Sequence, residues 1–169
     1  MIACIDVDYS DEGSAAATAA CVLFTSWTAA VPAAEYVQRI AKVAEYVPGQ
    51  FYKRELPCVL AVLELVEQPI ELIVIDGYVI LDAEGTHGMG GYLYEAFERR
   101  TPVIGVAKNR FRANSAAVEV LRGDSKRPLF VTALGIDPEA AAIDIQRMHG
   151  RFRLPTLLKR VDRLCRDGE

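Results

Sequence analysis

Apolar and polar positions along this chain follow two different periods, and the change from one to the other marks its elements. Ile2-Ala3-Cys4-Ile5-Asp6-Val7-Asp8-Tyr9 reads as a first strand, and residues 15–26 as an alanine-rich second one ending in Cys21-Val22-Leu23-Phe24. Residues 35–43 can form a third, so the three predict an antiparallel meander. Over residues 51–67 the period lengthens: Leu56, Val59, Leu60, Leu63 and Val66 recur at helical spacing. The central run is Glu71-Leu72-Ile73-Val74-Ile75-Asp76-Gly77, short, apolar and rich in β-branched residues. A strand buried on both faces belongs to a parallel or mixed sheet covered by helices. A glycine-rich loop over 81–91 and a helix over 92–99 come next. Further strands are expected at 102–108, 117–121 and 128–133. Asp137-Pro138-Glu139 opens a helix to about 149, with Asp as N-cap and Pro at the first helical position. A last helix spans 154–165.

Composition adds little to this picture and charge adds more. A chain of 169 residues with 51% hydrophobic and 25% charged residues is expected to form one domain, residues 1–169, with a substantial core. No apolar run reaches membrane-spanning length and no basic leader precedes the first strand, so a soluble, cytoplasmic protein with no membrane partner is expected. Cys4, Cys21, Cys58 and Cys165 lack C-x-x-C spacing and read as reduced, mostly buried thiols. Residues 1–99 carry 5 Lys+Arg and 15 Asp+Glu, and residues 100–169 carry 14 and 8. One part supplies carboxylates and the other cations. That division suits a metal-dependent enzyme acting on phosphodiesters. A solvated basic face is the competing explanation.

Three acids occupy positions where chemistry is expected. Asp6 lies in an otherwise apolar strand, where a carboxylate is costly unless paired or bound to a cation. Pro57 is tolerated in a first helical turn, which puts Glu55 near a helix N-terminus, favoured by the backbone dipole. Asp76 ends a buried strand, where ligands of α/β sheets collect. Each has a plainer alternative: a strand end reaching water, a helix-start acid, an Asp-Gly turn. Lys108 ends the strand Pro102-Val103-Ile104-Gly105-Val106-Ala107 in the manner of Asp76. Pro48-Gly49 fixes a turn that presents Tyr46. The loop glycines, Gly85 and Gly88 among them, either let backbone amides approach a phosphate or make a merely flexible loop. His87 alone is weak evidence for a metal ligand.

The element order is compatible with an α/β, ribonuclease H-like fold, a mixed sheet flanked by helices with carboxylates on the first strand, a later neighbouring strand and a helix. Asp6, Asp76 and Glu55 meet that specification. Oxygen-only ligation suits Mg²⁺ or Mn²⁺ rather than zinc.

The chain resembles the endonuclease V family on several blocks taken in order: Tyr46-Val47-Pro48-Gly49 with Lys53-Arg54-Glu55-Leu56-Pro57, then Ile75-Asp76-Gly77, Pro102 through Lys108, Pro128-Leu129-Phe130-Val131 and Arg153-Leu154-Pro155. The resemblance implies a metal-dependent endonuclease that cuts nucleic acid, DNA or RNA, near inosine. It implies Asp6, Glu55 and Asp76 as metal carboxylates and Lys108 as a contact to the scissile phosphate. It also implies Tyr46 in a strand-separating wedge shaped by Pro48 and Gly49, and a backbone-lined base pocket to which Gly85 and Gly88 contribute. The chain departs from the family in several places, among them the region before Pro128, which lacks an insertion common in the family. Asp76-Gly77-Tyr78-Val79 lacks a second glycine, and Asp82 stands where a histidine is usual. A late Gly-His near 134–137 has no counterpart, and the C-terminal motif is reduced to Pro155-Thr156. The other reading is therefore a weakly active or inactive nucleic-acid-binding relative. An unrelated metal phosphatase on a similar sheet is a third. Oligomeric state is not readable from the sequence.

Overall fold

The computed structural model describes residues 1–9, 16–45, 47–112 and 114–167. The turn expected over 10–13 and the wedge residue Tyr46 lie outside the described residues. Seven strands form one mixed sheet: β1 (Ile2–Tyr9), β2 (Ala17–Phe24), β3 (Ala34–Ile40), β4 (Leu72–Asp76), β5 (Val103–Ala107), β6 (Val118–Val120) and β7 (Leu129–Leu134). Their order is β3-β2-β1-β4-β5-β7-β6. The expected meander is present, with β1 antiparallel to β2 and β2 to β3. β4 and β5 join in parallel, and β7 returns antiparallel to β5.

Four helices cover the sheet: α1 (Tyr52–Leu63), α2 (Met89–Ala96), α3 (Pro138–Arg147) and α4 (Thr156–Asp167). Alternation along the strands assigns each face its own core. Ile73 and Ile75 pack with Cys58, Val59 and Val62 of α1 and Leu93 of α2. Val74, Ile104 and Val106 pack with Ile145 of α3 and Leu157, Leu158 and Val161 of α4. The four cysteines are free and buried, as expected. No helix among the described residues is long and apolar enough to cross a membrane.

Three local expectations are corrected. Pro57 lies in the second turn of α1, where its missing N–H leaves one helical bond unmade. Glu55 remains in the first turn. The helix expected at 92 begins at Met89, so Gly90 and Gly91 belong to its first turn and not to a loop. A Cβ on Gly90 would stand 2.6 Å from Ile75 Cδ1, so this glycine is there for close packing against β4. Arg122, one of the cations of residues 100–169 for which a solvated basic face is the competing explanation, is buried, with 5% of its surface exposed.

Candidate active site

Strand register brings the first acids together. Cys4 pairs with Val74 and Ile5 with Ile75, so the next step along both parallel strands sets Asp6 beside Asp76. Neighbouring strands lie about 4.8 Å apart. Side chains alternate faces, so Asp6 and Asp76 share the face of Cys4 and Val74, the one that α4 covers. Asp76 pairs with Val106 of β5, and Lys108, two residues beyond, points to the same side. Its ammonium lies 2.6 Å from Asp76 Oδ2 and 3.3 Å from Asp162 Oδ1.

Asp162 is the residue that sequence reasoning missed. It descends from α4 to complete a group of three partly buried carboxylates, Asp6, Asp76 and Asp162, whose oxygens lie within 4.8 Å of one another. A signal for it exists. Leu158, Val161 and Cys165 are buried on one stripe of α4, and Asp162 interrupts that stripe at helical spacing. An acid on an apolar stripe needs a partner, and the count of surrounding lysines and arginines hid it.

Glu55 approaches from the opposite face. α1 packs on the other side of the sheet, and its first turn carries Glu55 to the strand ends. There it lines a hollow together with Asp76, outside the tight group of three. Burial pushes the Glu55 carboxyl up to about 8, with the charges of Asp6 and Asp76 adding to it. Burial, then Asp76, likewise raises Asp6 to about 7. Burial works against the Lys108 ammonium, but the bonds and charges of Asp76 and Asp162 outweigh it and its pKa is raised. Asp6 and Glu55, held up chiefly by burial and then by neighbouring charge, belong to a crowded carboxylate group short of positive charge. An oxygen-only set of this kind fits a hard divalent cation.

The hollow has a volume of about 380 Å³ and is lined by Gly49, Tyr52, Tyr78, His87, Gly88 and Phe111 in addition to the two acids. Gly49 sits at φ +78°, in the left-handed region that the expected turn requires. Pro48 is exposed beside it. The Gly88 amide donates to the Val79 carbonyl at 2.9 Å, folding the start of α2 onto the end of β4. Val79 stands where the second family glycine is lacking, and its neighbour Tyr78 accepts from the Phe111 amide and donates to the Asn109 carbonyl at 2.7 Å. Gly85 occupies an exposed turn away from the hollow, held by the Thr86 amide donating to Asp82. Asp137 accepts from the Ala140 amide as an N-cap, with no place at the acids.

The endonuclease V family model matches residues 1–135. The chain is 33% identical to the endonuclease V of Streptomyces coelicolor over 184 residues, covering 96% of this chain and 76% of that relative. The chain belongs to the endonuclease V family. Members of that family are phosphodiester-hydrolysing nucleases. The Nocardia farcinica endonuclease V is 30% identical, with 98% of this chain and 79% of the relative covered. Among solved structures, the endonuclease V of Streptomyces avermitilis superposes with a TM-score of 0.80 at 27% identity, covering 99% of this chain and 80% of that one. That of Ciona intestinalis, solved with a DNA containing inosine followed by a ribo-adenosine, reaches 0.81 at 18% identity, with 99% and 84% covered. The ribonuclease H-like fold expected from the order of the elements is thus present across the chain.

Proposed function

We propose that residues 1–169 act as one domain, a metal-dependent endonuclease that hydrolyses a phosphodiester bond near inosine in nucleic acid. One observation supports this reading: three carboxylates from β1, β4 and α4 meet beside Lys108, and one of them, Asp76, also lines a hollow large enough for a base. Asp6, Asp76 and Asp162 would hold the cation, with Glu55 facing it from the hollow. Mg²⁺ is the favoured ion and Mn²⁺ a substitute, because all the donors are carboxylate oxygens. A bound divalent cation supplies acidified water and neutralises charge building on the phosphoryl oxygens.

The chain's own residues do the rest. The acids alone would repel a phosphodiester, and among the described residues Lys108 is the one cation bonded to two of them. An ammonium aimed at charge that develops in the transition state lowers the barrier more than it tightens ground-state binding. The hollow is mostly aromatic and backbone-walled, and falls in the size range of small-ligand sites. Gly49 and Gly88, without side chains, let backbone amides and carbonyls reach the edges of a base. Tyr46, next to the Pro48-Gly49 turn, would serve as the wedge.

The test is nicking of a labelled inosine oligonucleotide, and its adenosine counterpart, with Mg²⁺, Mn²⁺ or chelator. Cation-dependent cutting of the inosine strand alone is the expected result, and each cation should also raise the melting temperature. Tight binding with no cutting in either metal would favour the inactive relative. Monoester hydrolysis without strand cutting would favour a phosphatase.

A further inference from the structure

A second, wider hollow of about 770 Å³ reaches the acidic cluster through Lys108 and Asp162, whereas the first reaches it through Glu55 and Asp76. The two share no lining residue, so they flank the cluster. The wall of the second is built from the segment between α3 and α4 and the outer side of α4. Phe152 stands on it with 60% of its surface exposed. The Arg151 guanidinium lies 5.0 Å from the Phe152 ring centre and the Lys159 ammonium 5.8 Å. Neither cation forms an ion pair among the described residues, whereas Arg160 of the same helix is held by Glu35 at 2.7 Å.

This exposed ring is carried on a rigid support. Arg122 is buried, and its guanidinium donates to the carbonyls of Gln146, Met148, Gly150, Phe152 and Arg153. Arg153 in turn donates to the carbonyls of Lys108 and Pro128. The segment bearing Phe152 is thereby fastened to the strand end that bears Lys108. Ring and cluster are held in one fixed relation, and more than half of the Phe152 surface stays open to solvent.

We propose that Phe152, between Arg151 and Lys159, is a stacking platform for a base of the substrate strand beyond the scissile bond, on the side away from the inosine. This inference rests on the nuclease reading and deepens it. A strand whose inosine enters the first hollow and whose scissile phosphate meets the cluster must continue across the second. An aromatic face offers every base a π-surface, and the two flanking cations, which form no ion pair among the described residues, suit the adjoining phosphates. Stacking of this kind is indifferent to sequence, as suits an enzyme that reads one lesion in any context.

The test is anisotropy binding in Ca²⁺ with inosine-containing single strands. In one set, abasic sites replace the nucleotides on one side of the inosine or the other. Wild-type protein is expected to lose about five- to a hundredfold in affinity when one side, and only that side, is abasic, the scale of one stacked base. Phe152→Ala should show the same loss on the intact strand and no further loss on the abasic one, and Phe152→Trp should restore discrimination. Arg151→Ala with Lys159→Ala should lower the slope of log affinity against log salt by about 1.4. Equal affinity of wild type and Phe152→Ala on intact strands, or an abasic penalty identical in both, overturns the platform. A wild type that binds but never cuts overturns the nuclease reading instead, and the abasic comparison still decides the platform.

Discussion

On the proposed reading, Lys108 is the residue on which the chemistry turns. Lys108→Ala should lower single-turnover cleavage by roughly a hundredfold or more, the scale of losing one electrostatic group aimed at a transition state. Binding in Ca²⁺ should change much less. If the variant cuts at the wild-type rate once bound, Lys108 is a phosphate anchor only. Asp162→Asn should also lower cleavage about a hundredfold and weaken the thermal shift produced by Mn²⁺. An unchanged shift would remove it from the cation site. The raised acids make a separate prediction for stability. Asp6 and Glu55 bind protons more tightly in the folded chain than an ordinary carboxyl does, up to about 7 and about 8. Their protonated forms therefore favour folding at low pH, and that contribution is lost as pH rises through those values. In chelator, Asp6→Asn should gain stability relative to wild type as pH rises from about 4 to 8. A divalent cation should erase the gain. A difference independent of pH in thermal melts would show that Asp6 ionises freely.

At the scale of elements, the site depends on close backbone approach as much as on its side chains. Gly105 of β5 faces the end of β4: a Cβ there would stand 2.5 Å from the Gly77 carbonyl oxygen and 2.8 Å from the Val79 amide. Backbone cannot swing aside as a flexible side chain can. Gly105→Ala should cost about 1–3 kcal/mol in denaturant unfolding, the range for overpacking, and displace Asp76 with it. A neutral result would mean that the turn after Asp76 is free to move. Arg122 supplies the complementary case. Its removal takes the donor from one buried carbonyl, that of Met148, and four partly buried ones, and an unpaired buried carbonyl costs about 1–3 kcal/mol. Arg122→Leu should therefore lose about 3 kcal/mol or more, against almost nothing for an exposed cation such as Arg112. Sequence alone counts both among the cations of residues 100–169, because the type of a residue says nothing about which way it faces.

The whole molecule carries its charge unevenly, and the fold brings the two parts together. The acids of the first part gather at the strand ends, and cations of the second rim them: Lys108, Arg151, Arg153, Lys159 and Arg166 border the wider hollow. Nucleic-acid affinity should accordingly fall steeply with salt, by about 0.7–0.9 in log units per phosphate contact per decade. Binding that is flat between low and moderate salt would reduce this rim to a solvated face.

The sequence by itself determined the meander, the buried strands β4 and β5, three of the four acids and the lysine. Those signals are local: a period of two, a run of β-branched residues, a charge at the end of an apolar strand. It also carried the family blocks, which are contiguous in the chain. Only the tertiary structure decided that Asp162 completes the cluster, since its helix is far from β1 and β4 in sequence and meets them through sheet register and helix packing. Only the fold separated Gly88, at the hollow, from Gly85, on an outer turn, and buried Arg122 while leaving Phe152 bare. Each of those outcomes depends on which surfaces meet across the sheet, and no local pattern encodes that.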